Sequence, residues 1–166
     1  MALRHSNGYR KLKQTLDSTK WKLEEDLDVK VFSLGEVVFK AETTVKATLE
    51  SLKELLKSRK TWDLEVKDFR TLGCLGSNKL IQVQLSQEDF VYTEKEISDK
   101  EAVYIVQKGI SMENLPGNSR GFLEIGGFKL QPLGKETSLC YVVKHNTKHL
   151  SRKLVNQLKN VKQTLG

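Results

Sequence analysis

A chain of 166 residues, 38% hydrophobic and 30% charged, has the composition of one globular domain and is too apolar for disorder. No uncharged apolar run approaches the roughly 20 residues that span a bilayer. Met1 to Lys13 also lacks the apolar stretch of a secretory signal, so neither a membrane-spanning helix nor an ordinary signal peptide is expected, and the chain reads as intracellular, cytoplasmic and peripheral to membranes.

Asn7 to Lys20 is the first predicted helix, with Tyr9, Leu12 and Leu16 on a narrow apolar stripe. After Trp21 and an acidic turn at Asp26 to Asp28, Val29 to Leu34 and Glu36 to Thr43 alternate as a hairpin about Gly35. A second helix follows over 45–59, capped by Thr43 or Thr44, with Val45, Leu49, Leu52, Leu55 and Leu56 as its stripe. From Asp68 to His145 the pattern is of strands: Phe69 to Leu75, Lys79 to Leu85, Asp89 to Glu96, Ala102 to Ile110, Gly121 to Leu133 and Ser138 to His145. Gly, Pro, Asn, Asp and Ser mark the connections, which are too short for parallel crossovers, so the strands should run as an antiparallel meander. Gly126-Gly127 suggests a bulge or bend. Ser151 to Leu165 is the last helix, capped by Ser151, with Leu154, Val155, Leu158, Val161 and Leu165 on one side.

The whole is α+β, one domain over 1–166, with helix 7–20, sheet 29–145 carrying helix 45–59, and helix 151–165. A sheet of about eight twisted strands must curl, and one helix lying in its concave face leaves space for a ligand beneath.

The net charge of +7 sits at the two ends: residues 1–22 carry +5, residues 144–166 carry +6 with no acid, and the middle carries −4. Six cations without an acid suggest attraction to an anionic surface. A nucleic-acid partner is disfavoured, because the interleaved aromatics of single-strand readers and a recognition-helix motif are missing. Cys74 and Cys140 read as small apolar residues, and His5, His145 and His149 have no ligand spacing, so neither metal nor cofactor is expected. No nucleophile triad, paired-carboxylate or phosphate-loop signature is evident, and the chain reads as non-enzymatic.

From Trp21 to Leu158 the sequence resembles the StAR-related lipid-transfer (START) domain. Trp62-Asp63 is similar to that family's Trp-Asp after the second helix, and Glu88-Asp89-Phe90-Val91 to its Arg-Asp-Phe-Val. The run from Ser119-Arg120-Gly121-Phe122 through Gly126-Gly127-Phe128 to Pro132-Leu133-Gly134 resembles its Arg, Gly-Gly and Pro-Leu-Gly pattern. Leu154-Val155-Asn156 resembles the start of its last helix. The family's Arg is Glu88 here, and basic residues later in that strand are replaced by Thr93 and Glu94, which leaves the ligand class open.

The resemblance implies a helix-grip fold, a curved antiparallel sheet wrapped around the C-terminal helix, that binds or transfers one lipid, whether sterol, phospholipid or sphingolipid. Candidate lining residues are Tyr92, Tyr104, Val106, Phe122, Phe128, Leu130, Tyr141, Val143, Leu154 and Leu158. Met112 and Leu115 are the candidate gate. Lys148, Arg152, Lys153, Lys159 and Lys162 are the cations expected to face a membrane. The alternative is a regulatory or protein-interaction domain of a larger chain with a reduced cavity.

Overall fold

The computed structural model describes residues 2–35, 38–86, 88–110, 119–120, 125–144 and 150–165. Helix α1 (Ala2–Leu16) leads into β1 (Lys22–Asp26), β2 (Lys30–Leu34) and β3 (Val38–Val45), then helices α2 (Leu49–Lys57) and α3 (Arg59–Trp62). Next come β4 (Asp68–Leu75), β5 (Asn78–Gln84), β6 (Glu88–Ser98), β7 (Val103–Gly109), the two-residue β8 (Ser119–Arg120), β9 (Ile125–Leu133) and β10 (Glu136–Lys144). Helix α4 (Leu150–Leu165) ends the series. The strands form one sheet in the order β1-β2-β3-β10-β9-β7-β6-β5-β4, antiparallel along that path, with β8 parallel to the start of β6.

The meander expected from short connections holds within β1 to β3, within β4 to β7 and between β9 and β10. It breaks where β3 pairs with β10 and β7 with β9. Helices α2 and α3 carry the chain from β3 to β4 at the opposite edge, and α4 packs beside them on the same face. That curved, concave face carries Val45, Ile81, Val83, Tyr92, Ile105, Phe128, Leu130, Leu139, Tyr141 and Val143 against Leu52, Leu56, Trp62, Leu154, Leu158 and Val161 of the helices. The alternate residues Tyr104, Val106, Cys140 and Val142 point to the convex face, where Leu12 of α1 covers them.

Several boundaries differ from the sequence reading. β1, Lys-Leu-Glu-Glu-Asp, escapes it because an edge strand so charged has no apolar alternation. The second helix starts at Leu49, not Val45: Thr48 is the N-cap, its side chain accepting from the Ser51 N–H, while Val45 ends β3 as a buried residue. It breaks at Ser58, after which α3 forms a single further turn. Ser151 lies inside α4 rather than capping it.

Gly126-Gly127 makes no bulge, since the register runs unbroken from Ile125 to Leu133 against β10; the shifts occur at Leu23/Glu25 and Thr71/Gly73. Gly127 is needed for close approach instead. Its φ is +151°, and a Cβ there would stand 2.3 Å from the Ile105 carbonyl oxygen and 3.1 Å from Cδ2 of Leu12. Helix α1 is also fixed at its middle. Tyr9 packs edge-on to Tyr104 with ring centroids 5.1 Å apart. Its hydroxyl donates to Asp99 at 3.1 Å, beside Lys13 at 3.5 Å. The backbone N–H groups of Glu101 and Ala102, with Tyr9 and Lys13, hold the Asp99 carboxyl down at about 2.

Candidate functional site

The site is built where α3 and α4 close over the sheet. Trp62 is 1% exposed and meets Phe128 and Tyr141 edge-on at 5.9 and 6.3 Å. Those two rings stack on each other at 4.2 Å across the β9–β10 pair. The indole N–H donates to the Leu56 carbonyl at 3.4 Å. A large aromatic with its one polar group satisfied in this way suits a mostly apolar interior.

Asp63 follows at the end of α3 and is 2% exposed. Its Oδ2 accepts from Arg59 Nε at 3.0 Å and from Gln157 Nε2 of α4 at 2.9 Å, and its Oδ1 from the Glu65 N–H at 3.3 Å. The Trp-Asp pair therefore does two jobs: the indole packs on the sheet, and the carboxylate fastens α4 to α3. Outside it, a cleft of about 320 Å³ runs between Asp63, Leu64, Glu65 and the polar side of α4 at Asn156, Lys159 and Gln163. A second fastening lies near the other end of α4, where Lys162 Nζ meets Asp28 at 2.8 Å and the Thr43 hydroxyl at 3.2 Å.

On β6 the concave face changes character. Tyr92 and Glu94 point inward two residues apart, and Glu94 stands opposite Gln107 of β7, whose Nε2 donates to its Oε2 at 3.1 Å. Burial pushes the Glu94 carboxyl above its ordinary range, outweighing the Gln107 bond and the attraction of Arg59, Lys79 and Lys57. It likewise pushes the Tyr92 and Tyr141 hydroxyls up against the attraction of Arg59. Further along, Glu96 pairs with Lys57 at 3.1 Å and Lys53 at 3.5 Å, fixing α2 over this strand. Among the described residues, no three His, Cys, Asp or Glu side chains gather as a metal site.

Of the residues singled out from sequence, Tyr92, Phe128, Leu130, Tyr141, Val143, Leu154 and Leu158 come together in the concave core. Tyr104 and Val106 do not: strand alternation turns them to the convex side under α1, so their grouping with the others is corrected. Phe122, Met112, Leu115 and Lys148 lie outside the described residues. Arg152 and Lys153 stand on the first turns of α4, with their side chains outside the described set. Lys159 is exposed, whereas Lys162 is committed to Asp28 and Thr43. Sequence reasoning missed the half-buried Arg59 and the buried Glu94 and Gln107, whose enclosure no local pattern announces; the departure at Glu94 from the family's basic residue was the available signal.

No protein-family model matches the sequence, and no curated protein matches it. Solved structures do. Human StAR-related lipid transfer protein 5 superposes with a TM-score of 0.86 at 18% identity, over 99% of this chain and 95% of that one. The lipid transfer and protein localization domain of human StarD13 gives 0.77 at 15% identity, over 96% and 95%. A STAR-related lipid transfer protein fragment from Xanthomonas axonopodis gives 0.76 at 16% identity, over 88% and 98%. This chain therefore has the helix-grip fold of the StAR-related lipid-transfer domain.

Proposed function

We propose that this chain binds a single lipid against the concave face under α4 and exchanges it with membranes, without catalysing a reaction. One observation carries the reading. The helices α2 to α4 close over a curved sheet whose facing residues are aromatic and aliphatic, in a fold whose superposing structures bear the name of lipid transfer. Burial of a tail contributes about 0.8 kcal/mol per methylene, so extraction needs an apolar lining and a movable cover rather than chemistry. The proposed lining is Tyr92, Phe122, Phe128, Leu130, Tyr141, Val143, Leu154 and Leu158, with Met112 and Leu115 as the gate. The cations of residues 144–166 would hold the protein at an anionic leaflet while the lipid passes.

Incubation with mixed-lipid vesicles, re-isolation and mass spectrometry of the extracted protein test this. The expected result is a lipid retained at up to one per chain. Absence of any co-purifying or exchangeable lipid rejects it, and capture of a specific protein by the same lipid-free chain would establish the interaction-domain alternative.

A further inference from the structure

The convex face of the sheet, turned away from α4, carries an opening of its own. A Cβ at Gly8 of α1 would stand 3.2 Å from Cγ1 of Val106, so the helix sits tight on β7. Beside that contact a groove of about 210 Å³ opens over β5, β6 and β7. Its apolar lining is Ile97, Val106 and Ile110, and its polar lining includes Thr93, Lys95 and Lys108. In the β6–β7 register Lys95 stands opposite Val106 and Thr93 opposite Lys108, so the two lysines are diagonal neighbours on one face. Neither has a carboxylate partner among the described residues. Other lysines do: Lys13 answers Asp99, and Lys53 and Lys57 both answer Glu96.

Two like charges on neighbouring strands repel, and an anionic group set between them relieves that repulsion. The groove discriminates among the anions that might fill this role. Nucleic-acid bases need an aromatic or guanidinium plane to stack on, and none lines the groove among the described residues. An anionic bilayer is broad and flat, whereas this groove is recessed beside a helix that stands above the sheet. An acidic peptide meets both halves of the lining at once, because it offers an apolar side chain and carboxylates on one strand of backbone.

We propose that this groove docks an acidic peptide segment of a partner protein. An aliphatic side chain enters between Ile97, Val106 and Ile110, and flanking carboxylates meet Lys95 and Lys108. Two solvent-screened ion pairs and one buried side chain make a weak, transient contact rather than an obligate interface. The groove and the concave face lie on opposite sides of the sheet, so the proposal does not rest on lipid binding.

The test pans a random-peptide display library on the immobilised chain, then titrates the enriched peptides in solution by fluorescence anisotropy. Enriched peptides should combine Asp or Glu with a neighbouring aliphatic residue, and their addition should shift the backbone amide signals of Lys95, Val106 and Lys108. The double variant Lys95→Gln/Lys108→Gln should weaken them by about five- to tenfold at low salt with its melting temperature unchanged. Ile97→Thr should weaken them by about threefold. Enriched peptides without acidic residues, an acidic peptide that binds the double variant as tightly as the parent, or no enrichment at all would overturn the proposal. Vesicles containing phosphatidylserine should bind the double variant as they bind the parent. A loss of vesicle binding as large as the loss of peptide binding would assign the groove to a membrane surface and overturn the peptide reading.

Discussion

Removal of the Asp63 carboxylate would strip Arg59 of its partner, free the Gln157 amide and leave the Glu65 N–H without its acceptor. Breaking one side of a buried pair typically costs more than the pair contributes, so Asp63→Ala should destabilise by about 3 kcal/mol in urea unfolding. Asp63→Asn, which keeps the acceptor oxygen, should lose less. Glu94 points the other way. Its folded pKa is raised, so the native state binds more protons than the unfolded chain between the ordinary value of 4.5 and the raised one, and stability falls as pH climbs through that window. Glu94→Gln should therefore melt higher than the parent at neutral pH, with the gap closing below pH 4.5; equal melting temperatures at neutral pH would contradict the burial argument. Neither role is legible in sequence. Asp63 stands out through its place after Trp62, but nothing local marks Arg59 as half-buried or Glu94 as buried, because the residues that enclose them lie far off in the chain.

At the scale of elements, the packing of α1 depends on the backbone of β9. With a Cβ 2.3 Å from the Ile105 carbonyl oxygen and 3.1 Å from Leu12, Gly127→Ala must either part β7 from β9 or lift the helix, and its φ of +151° suits no other residue well. A loss of more than about 1 kcal/mol is expected, with faster hydrogen exchange along α1 than in the parent. The sequence pattern identifies a special role for this glycine pair but not its kind, since the demand comes first from the Ile105 carbonyl on the neighbouring strand β7 and then from Leu12 of α1, both brought close only by the fold. Strands with apolar alternation, β2 to β7, β9 and β10, are readable to within a few residues, whereas the two-residue β8 has no such pattern. The charged β1 is not readable either. Thr48 was passed over as a cap because the apolar period runs back through Val45, which the sheet claims as the end of β3. Period alone placed Tyr104 and Val106 on the ligand side, since a one-residue error of register inverts a strand's faces.

For the molecule as a whole, the acid-free C-terminal charge of +6 over residues 144–166 has its clearest test at a membrane. Each cation near an anionic leaflet contributes about 1 kcal/mol, within a Debye length of roughly 10 Å. Reversal of Arg152, Lys153 and Lys159 to Glu should weaken binding to anionic vesicles by at least about tenfold at low salt without shifting the melting temperature. Unchanged binding at low salt would dismiss the electrostatic role. Lys162 is left out because its ammonium already answers Asp28. The strand order also bears on how the chain is made. β3 (Val38–Val45) ends as an interior strand, yet its second neighbour comes from residues 137–144. During synthesis its hydrogen-bonding edge must wait for nearly a hundred further residues, and pairings of such long reach form slowly. The nascent chain would thus present an unpaired edge for most of its time on the ribosome, a period in which association with another copy competes with folding.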